Sequence, residues 1–312
     1  MKTAARAKVR LSKQTAKRCA QQSAMTYSQK RKGNSKTEAL RLRIARRRKG
    51  RHSPAYLART IMNPSWEVYK VQIPGFSKFE MTFGAHKMNS ALRERIDGVR
   101  EPETSEIFQL GVAPGDVVLE GGGCYGYMTM QLSQLVGDAG RVVSLEPSDK
   151  YKSLLAWNLE RNSVTNVEVW DTLLFNDRVF KRDSNIGGTP HTLARLYKLA
   201  KIQPDFIFLD IEGYEVGVLW RALRDGLFEH HRPLLVFQPH YIDYKAYYAP
   251  ETYEKLWKAL TVEGYSLHRL EYLIVCLPEE PDHEQRTAIH KLLHRGLRRT
   301  GDEAPKTAKG FR

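Results

Sequence analysis

From Trp66 onward the apolar positions recur with a definite period, whereas the residues before it show no strand-like apolar run. The segments EVYKVQI and FEMTF alternate apolar with polar residues around Pro74 and Gly75, which predicts a hairpin. Beyond it, short apolar runs trade places with segments of helical period. GDVVLE (115–120), RVVSLE (141–146), VEVW ending near Asp171, DFIFLD ending at Asp210 and PLLVF (233–237) read as strands. Between them, residues 127–135 place Met128, Leu132 and Leu135 at helical spacing, and Ser148 is positioned to cap a helix carrying Tyr151, Leu154, Leu155 and Leu159 on one face. Further helices are expected over 192–200 and 216–223. Another has Pro250 near its first turn, Tyr253, Leu256, Trp257 and Leu260 inward, and Gly264 at its end. YSLHRL and EYLIVCL complete the series as an antiparallel pair. Regular alternation of strand and helix predicts an α/β fold, a doubly wound, mostly parallel seven-stranded sheet with helices on both faces.

Length and composition agree with this and add a division of the chain. The 312 residues are 41% hydrophobic and 27% charged, which suits a globular protein with a sizeable core and excludes collagen-like or wholly disordered chains. The net charge of +15 is unevenly spread: residues 1–59 hold 19 Lys and Arg against the single acid Glu38, a net of +18. Residues 290–312 carry +5, and residues 60–289 carry −8. Three parts are therefore expected: a basic, disordered tail or targeting segment (1–59), a folded domain (60–289) and a basic C-terminal tail (290–312). RRRKGR (46–51) has the character of a nuclear address, and the acid-poor N-terminus that of an organelle transit peptide. Cys19, Cys124 and Cys276 form no CxxC pair, so neither a disulfide framework nor a cysteine zinc site is expected. With no secretory signal and no apolar stretch near the ~18–20 residues of a membrane helix, the chain is expected to be soluble, intracellular and cytoplasmic.

The chemistry gathers at one edge of the expected sheet. In such folds ligands bind beyond the carboxyl ends of the strands, near the point where strand order reverses. Those ends here carry Glu120, Glu146, Asp171, Asp210 with Glu212, and Gln238 with His240. The loop after the first parallel strand, EGGGCYG (120–126), contains GxGxxG at Gly121, Gly123 and Gly126, with Glu146 twenty residues further on. That pattern alone also describes a dinucleotide site. A pyrophosphate would, however, meet Glu120 with Asp171 and Asp210 nearby and no Arg or Lys in the loop, whereas an acidic crevice suits a cationic ligand such as the sulfonium and ammonium of S-adenosyl-L-methionine. Glu146 has the place of a ribose-binding acid under either cofactor.

These residues resemble the FkbM-type S-adenosylmethionine-dependent methyltransferases. The resemblance covers residues 101–277 and rests on VVLEGGGCYGYMT, on RVVSLEPSDKYKSLLAWNLERN with its paired Asn158 and Asn162, on DFIFLDIEGYEVGVLWRAL and on RPLLVFQPH. It implies a class I, Rossmann-like methyltransferase fold, with S-adenosyl-L-methionine held by Glu120, Gly121, Gly122, Gly123, Cys124, Tyr125, Gly126, Glu146, Pro147, Asp171 and Asp210. The departures from the family pattern include Cys124 in place of an Asn, Phe208 of a Lys and Gln238 of a Glu.

Transfer to a hydroxyl needs in-line alignment and a group to take the proton. His240 is the first candidate for that base, with Asp210 and Glu212 as base, substrate-orienting group or helix cap. No metal site is expected. Tyr241, Tyr244, Tyr247 and Tyr248 would wall an acceptor or pack on one another; His290 and His294 share a helix face beside Arg295, Arg298 and Arg299. The reading that follows is an O-methyltransferase acting on a small molecule or carbohydrate. An RNA methyltransferase binding RNA or another polyanion through residues 1–59, and a noncatalytic adaptor of the same fold, are its rivals.

Overall fold

The alternation of apolar runs and amphipathic segments builds a seven-stranded sheet buried on both faces. The computed structural model describes residues 66–175, 187–240, 250–278, 287, 289 and 291–293, all within the unit Pro54–Arg312. The basic segment 1–59, the tyrosines at 241, 244, 247 and 248, and His290 and His294 lie outside the described residues.

In chain order the elements are β1 (Tyr69–Val71), β2 (Phe79–Met81), α1 (Ser90–Ile96), α2 (Pro102–Gly111), β3 (Val117–Gly121), α3 (Tyr127–Val136), β4 (Arg141–Leu145), α4 (Asp149–Arg161), β5 (Val167–Trp170), β6 (Thr172–Leu174), β7 (Thr189–His191), α5 (Leu193–Ala200), β8 (Phe206–Leu209), α6 (Glu215–Arg224), β9 (Leu234–Phe237), α7 (Pro250–Val262), β10 (Tyr265–Leu270) and β11 (Leu273–Pro278). The large sheet has the order β10-β11-β9-β8-β3-β4-β5. β9, β8, β3, β4 and β5 run parallel, and β11 lies antiparallel between β9 and β10. Strand order reverses between β3 and β8, where the crevice beyond their carboxyl ends is expected to open.

Period-two alternation explains how the sheet is covered. Leu119, Val143, Ile207, Leu209 and Leu235 pack on one face with Leu193, Leu196, Leu219, Leu256 and Leu260 from α5, α6 and α7. Their strand neighbours Val118, Val142, Phe206, Phe208 and Val236 pack on the other face with Ile107, Phe108, Leu132 and Val136 from α2 and α3. Each fully buried side chain of this kind contributes about 1.5–3 kcal/mol. Phe208 also explains one departure from the family pattern: it is 1% exposed and meets the Phe108 ring edge-on at 5.0 Å, filling with core the position where relatives often carry Lys.

The β1–β2 hairpin forms a separate two-stranded sheet and is clasped by α4. Asn158 Oδ1 accepts from the Thr82 backbone N–H, and its Nδ2 donates to the carbonyls of Thr82 and Tyr125. One turn later Asn162 repeats the pattern on Glu80, accepting from its N–H and donating to its carbonyl. The two asparagines thus act as a surrogate strand along β2 and its extension, and Asn158 also ties the hairpin to Tyr125 in the glycine loop. Asn158→Ala is expected to cost about 3 kcal/mol, because it strands several fully buried partners at once. A denaturant midpoint within error of wild type would show that the clasp is dispensable.

Neither α1, α2 nor the small parallel β6–β7 pair follows from the sequence pattern. α1 buries only Leu92, too little for a visible period. α2 starts at Pro102 behind Glu101, which is left-handed at φ 54°. β6 and β7 have three residues each, and β7 contains Pro190.

Candidate functional site

Backbone conformation decides what the glycine loop does. After β3 the chain turns sharply: Gly122 has φ +94°, Cys124 +46° and Gly126 +90°. A Cβ on Gly122 would fall 1.9 Å from the carbonyl oxygen of Asp210, so this glycine lets the loop lie directly against the end of β8. The N–H groups of Gly122 and Gly123 both donate to the carbonyl of Leu145, closing the loop onto β4 as well. A Cβ on Gly123 would also clash, at 2.4 Å from the Ser144 hydroxyl, while one on Gly121 would press tightly on Leu209 at 3.0 Å. Tyr125 is 8% exposed and stands edge-on to Phe83, His86 and Tyr151, which anchors the loop from the hairpin side.

The acids of the strand ends divide into three kinds. Glu120 is 0% exposed, accepts a 2.6 Å hydrogen bond from Thr129 and is raised by burial to about 7 against the hydrogen bonds of Ser144 and Thr129; its Oε1 has no partner among the described residues. Glu146 is positioned by backbone: Oε2 accepts from Cys124 N–H and Oε1 from Ser148 N–H, each at 2.8 Å. Burial raises its pKa, opposed by those two bonds and by Lys152. Ser148 precedes α4 as expected, but its side chain makes no capping bond there. Asp171 is half-exposed and pairs at 3.2 Å with Lys152, which also holds Asp149 at 2.7 Å. Pro147 is covered by Gly187 and Gly188, where any side chain would strike it.

The third kind forms a cluster at the ends of β8 and β9. His240 Nε2 lies 3.4 Å from Asp210 Oδ1 and 3.8 Å from Glu212 Oε2, and its Nδ1 lies 3.1 Å from Glu215 Oε1. Sequence reasoning brought Asp210, Glu212 and His240 to one edge and passed over Glu215. That residue is 1% exposed and accepts from the N–H groups of Ile211 and Gly213, which makes it the brace of both the strand end and the ring. The only signal for it was a carboxylate in the first turn of α6, which any helix start welcomes. Glu212 is left-handed at φ 54° and followed by Gly213 at φ 95°, so the chain doubles back and carries the Glu212 carboxylate toward the ring. Burial opposes charge on His240, but the hydrogen bond and charge of Glu215, with Asp210 and Glu212, override it and raise the pKa to about 9. Burial lifts Asp210 to about 7 despite His240, with Glu101, Glu215 and Glu212 adding to the rise.

Glu146, pinned by two N–H groups, keeps lone pairs for a pair of hydroxyls, and the glycine loop brings backbone close to Asp210; this donor set fits an adenosyl sulfonium. Asp210, Glu212 and His240 also offer one ligand atom each within 4.8 Å of one another, a set able to hold a metal ion. A Glu146→Gln change keeps shape but puts an N–H where an acceptor is needed. It is expected to weaken S-adenosyl-L-methionine about tenfold to a hundredfold, corresponding to about 1.5–3 kcal/mol for a charged hydrogen bond. Unchanged affinity by calorimetry would remove Glu146 from the cofactor site.

Residues 120–267 match the family model described as the methyltransferase FkbM domain. No curated protein matches the sequence. Among solved structures, the chain is similar to Aeropyrum pernix fibrillarin in complex with natively bound S-adenosyl-L-methionine, at 15% identity over 69% of this chain and 96% of that one, with a TM-score of 0.39. It is also similar to a SAM-dependent O-methyltransferase from Thermotoga maritima (14% identity, 72% and 96% covered, TM-score 0.37) and to the O-methyltransferase from Bacillus cereus in complex with SAH (17% identity, 62% and 83% covered, TM-score 0.38).

Proposed function

We propose that the protein, whose residues 120–267 match the model of the methyltransferase FkbM domain, uses S-adenosyl-L-methionine to O-methylate a hydroxyl of a small molecule or carbohydrate. The observation that carries this reading is the Asp210–Glu212–His240 cluster beside the glycine loop. A neutral hydroxyl must shed a proton as the methyl group arrives, and the carboxylates of Asp210 and Glu212, gathered around the His240 ring, give that edge the polar, negatively charged surroundings to orient such a hydroxyl and favour loss of its proton. The rest of the rate comes from alignment of oxygen, methyl carbon and sulfur, which needs rigid walls; the glycine loop is locked to β4 and β8 by hydrogen bonds and close packing.

Two measurements test the proposal. Calorimetry with S-adenosyl-L-methionine should give one binding event per chain. Incubation with donor carrying a labelled methyl group and fractionated cell extract should then place label on small molecules or sugars. Label confined to RNA would overturn the acceptor class and favour the basic segment 1–59 as an RNA-binding arm. Cofactor binding with no transfer to any fraction would favour an adaptor role.

A further inference from the structure

The geometry points to a divalent-cation site formed by Asp210 Oδ1, Glu212 Oε2 and His240 Nε2, of the class that accepts mixed carboxylate and imidazole donors, such as Mn2+. The inference rests on the methyl-transfer reading of the same cluster and deepens it, by saying how the acceptor oxygen is held.

Distances come first. A charge-assisted hydrogen bond between imidazolium and carboxylate closes to about 2.7–2.9 Å. Nε2 instead stands off from both oxygens, at 3.4 Å and 3.8 Å. Ligand bonds of about 2.0–2.2 Å place neighbouring donor atoms of one ion roughly 3.0–3.6 Å apart. The Nε2–Oδ1 separation of 3.4 Å falls in that range, Nε2–Oε2 at 3.8 Å lies just beyond it, and all three atoms lie within 4.8 Å of one another, so a small closure of the Glu212 carboxylate would bring them around one ion.

The ring's other nitrogen supplies an independent line of argument. A metal-ligating histidine almost always turns its second nitrogen to a carboxylate, backbone carbonyl or water, which fixes the tautomer and aims the free nitrogen. Glu215 does this here at 3.1 Å. It is buried to 1% exposure and is itself held by the N–H groups of Ile211 and Gly213, so the outer support is rigid before any ion arrives. Charge agrees as well: three carboxylates lie within 3.8 Å of one imidazole, an excess of negative charge that a dication would offset.

The two carboxylates and the ring leave further positions of such an ion for water and the acceptor oxygen. In the transfer the hydroxyl oxygen forms a bond to the methyl carbon while the carbon–sulfur bond breaks. Its electron pair goes to sulfur, giving the neutral thioether, and the hydroxyl proton leaves to solvent. The cation's contribution is to draw charge from the acceptor oxygen and fix its direction of approach.

The test uses the full chain, stripped with chelator and titrated with Mn2+, while the free ion is followed by electron paramagnetic resonance. One saturable equivalent is expected, weakened at least tenfold by His240→Ala and by Asp210→Asn. Asp138→Asn, at the opposite edge of the sheet, should leave it unchanged. Absence of saturable binding overturns the site, as does binding that survives in folded His240→Ala protein. S-adenosyl-L-methionine titrated into the same samples keeps the two readings apart. Retained donor binding without Mn2+ binding ends the cation proposal alone, whereas loss of donor binding in wild-type protein ends the methyl-transfer reading.

Discussion

Gly122→Ala should abolish measurable cofactor binding, and Gly115→Ala should not. Both glycines are left-handed, at φ +94° and +93°, so both substitutions meet the same backbone penalty of about 1–2 kcal/mol. They differ in what the new methyl group meets. At Gly115 nothing lies within 4 Å, whereas at Gly122 the methyl carbon would lie 1.9 Å from the Asp210 carbonyl oxygen. That oxygen is backbone, so no rotamer change relieves the contact, and either the loop or the end of β8 must move by more than an ångström. The loop cannot move alone, because the N–H groups of Gly122 and Gly123 are bonded to Leu145. Expected results are a melting temperature lowered by about 3–8 °C for Gly115→Ala, by clearly more for Gly122→Ala, and a donor affinity reduced over a hundredfold in the second variant only. Equal donor affinity in the two variants would mean that the loop's approach to β8 has no part in holding the cofactor.

The same contact shows what could be read from the chain and what could not. Strand periodicity was plain because each central strand is buried on both faces, and Val118 with Leu119, Val142 with Val143 and Phe206 with Ile207 leave no polar face to blur it. The strand ends followed from the strands, and with them the edge that gathers Asp210, Glu212 and His240. What periodicity could not carry was the third dimension of polar contacts. Glu120, Glu146 and Asp171 look alike in sequence as acids at strand ends. In the structure one is buried against Thr129, one is pinned by two backbone N–H groups, and one is neutralised by Lys152. The carboxylates that gather around the ring are accordingly those after β8: Asp210, Glu212 and, at the start of α6, Glu215. Asn158 and Asn162 could be noted as a pair, but their role depends on a hairpin 76 and 82 residues away meeting the face of α4. Glu215 was hidden for the opposite reason: an acid in the first turn of a helix is so ordinary that its service to a ring 25 residues later leaves no trace.

Substitutions within that cluster should separate chemistry from donor binding. His240→Ala is expected to lower methyl transfer by about 10²–10⁴-fold while donor affinity stays within about threefold. The asymmetry follows from position. The ring projects from the residue three beyond β9, and its contacts are with Asp210, Glu212 and Glu215 rather than with the glycine loop or Glu146. Asp210→Asn should lose transfer comparably but also weaken the donor somewhat, since it removes a negative charge from the strand end against which the glycine loop packs. Glu215→Gln is the discriminating variant. It preserves volume, but its single oxygen can take only the Oε1 place beside Ile211 N–H and the ring, while its NH2 group faces the Gly213 N–H that Oε2 now accepts, so the ring meets a neutral amide and one backbone donor loses its partner. Transfer should fall at least tenfold, with a melting temperature lowered less than in Glu215→Ala, if Glu215 works by holding His240. Glu215→Ala should instead cost several kcal/mol of stability, because two backbone N–H groups and a ring nitrogen are stranded in the interior. A Glu215→Gln protein with wild-type transfer would show that His240 needs no support from Glu215. A His240→Ala protein that cannot bind the donor would move the ring from the acceptor side of the crevice to the cofactor side.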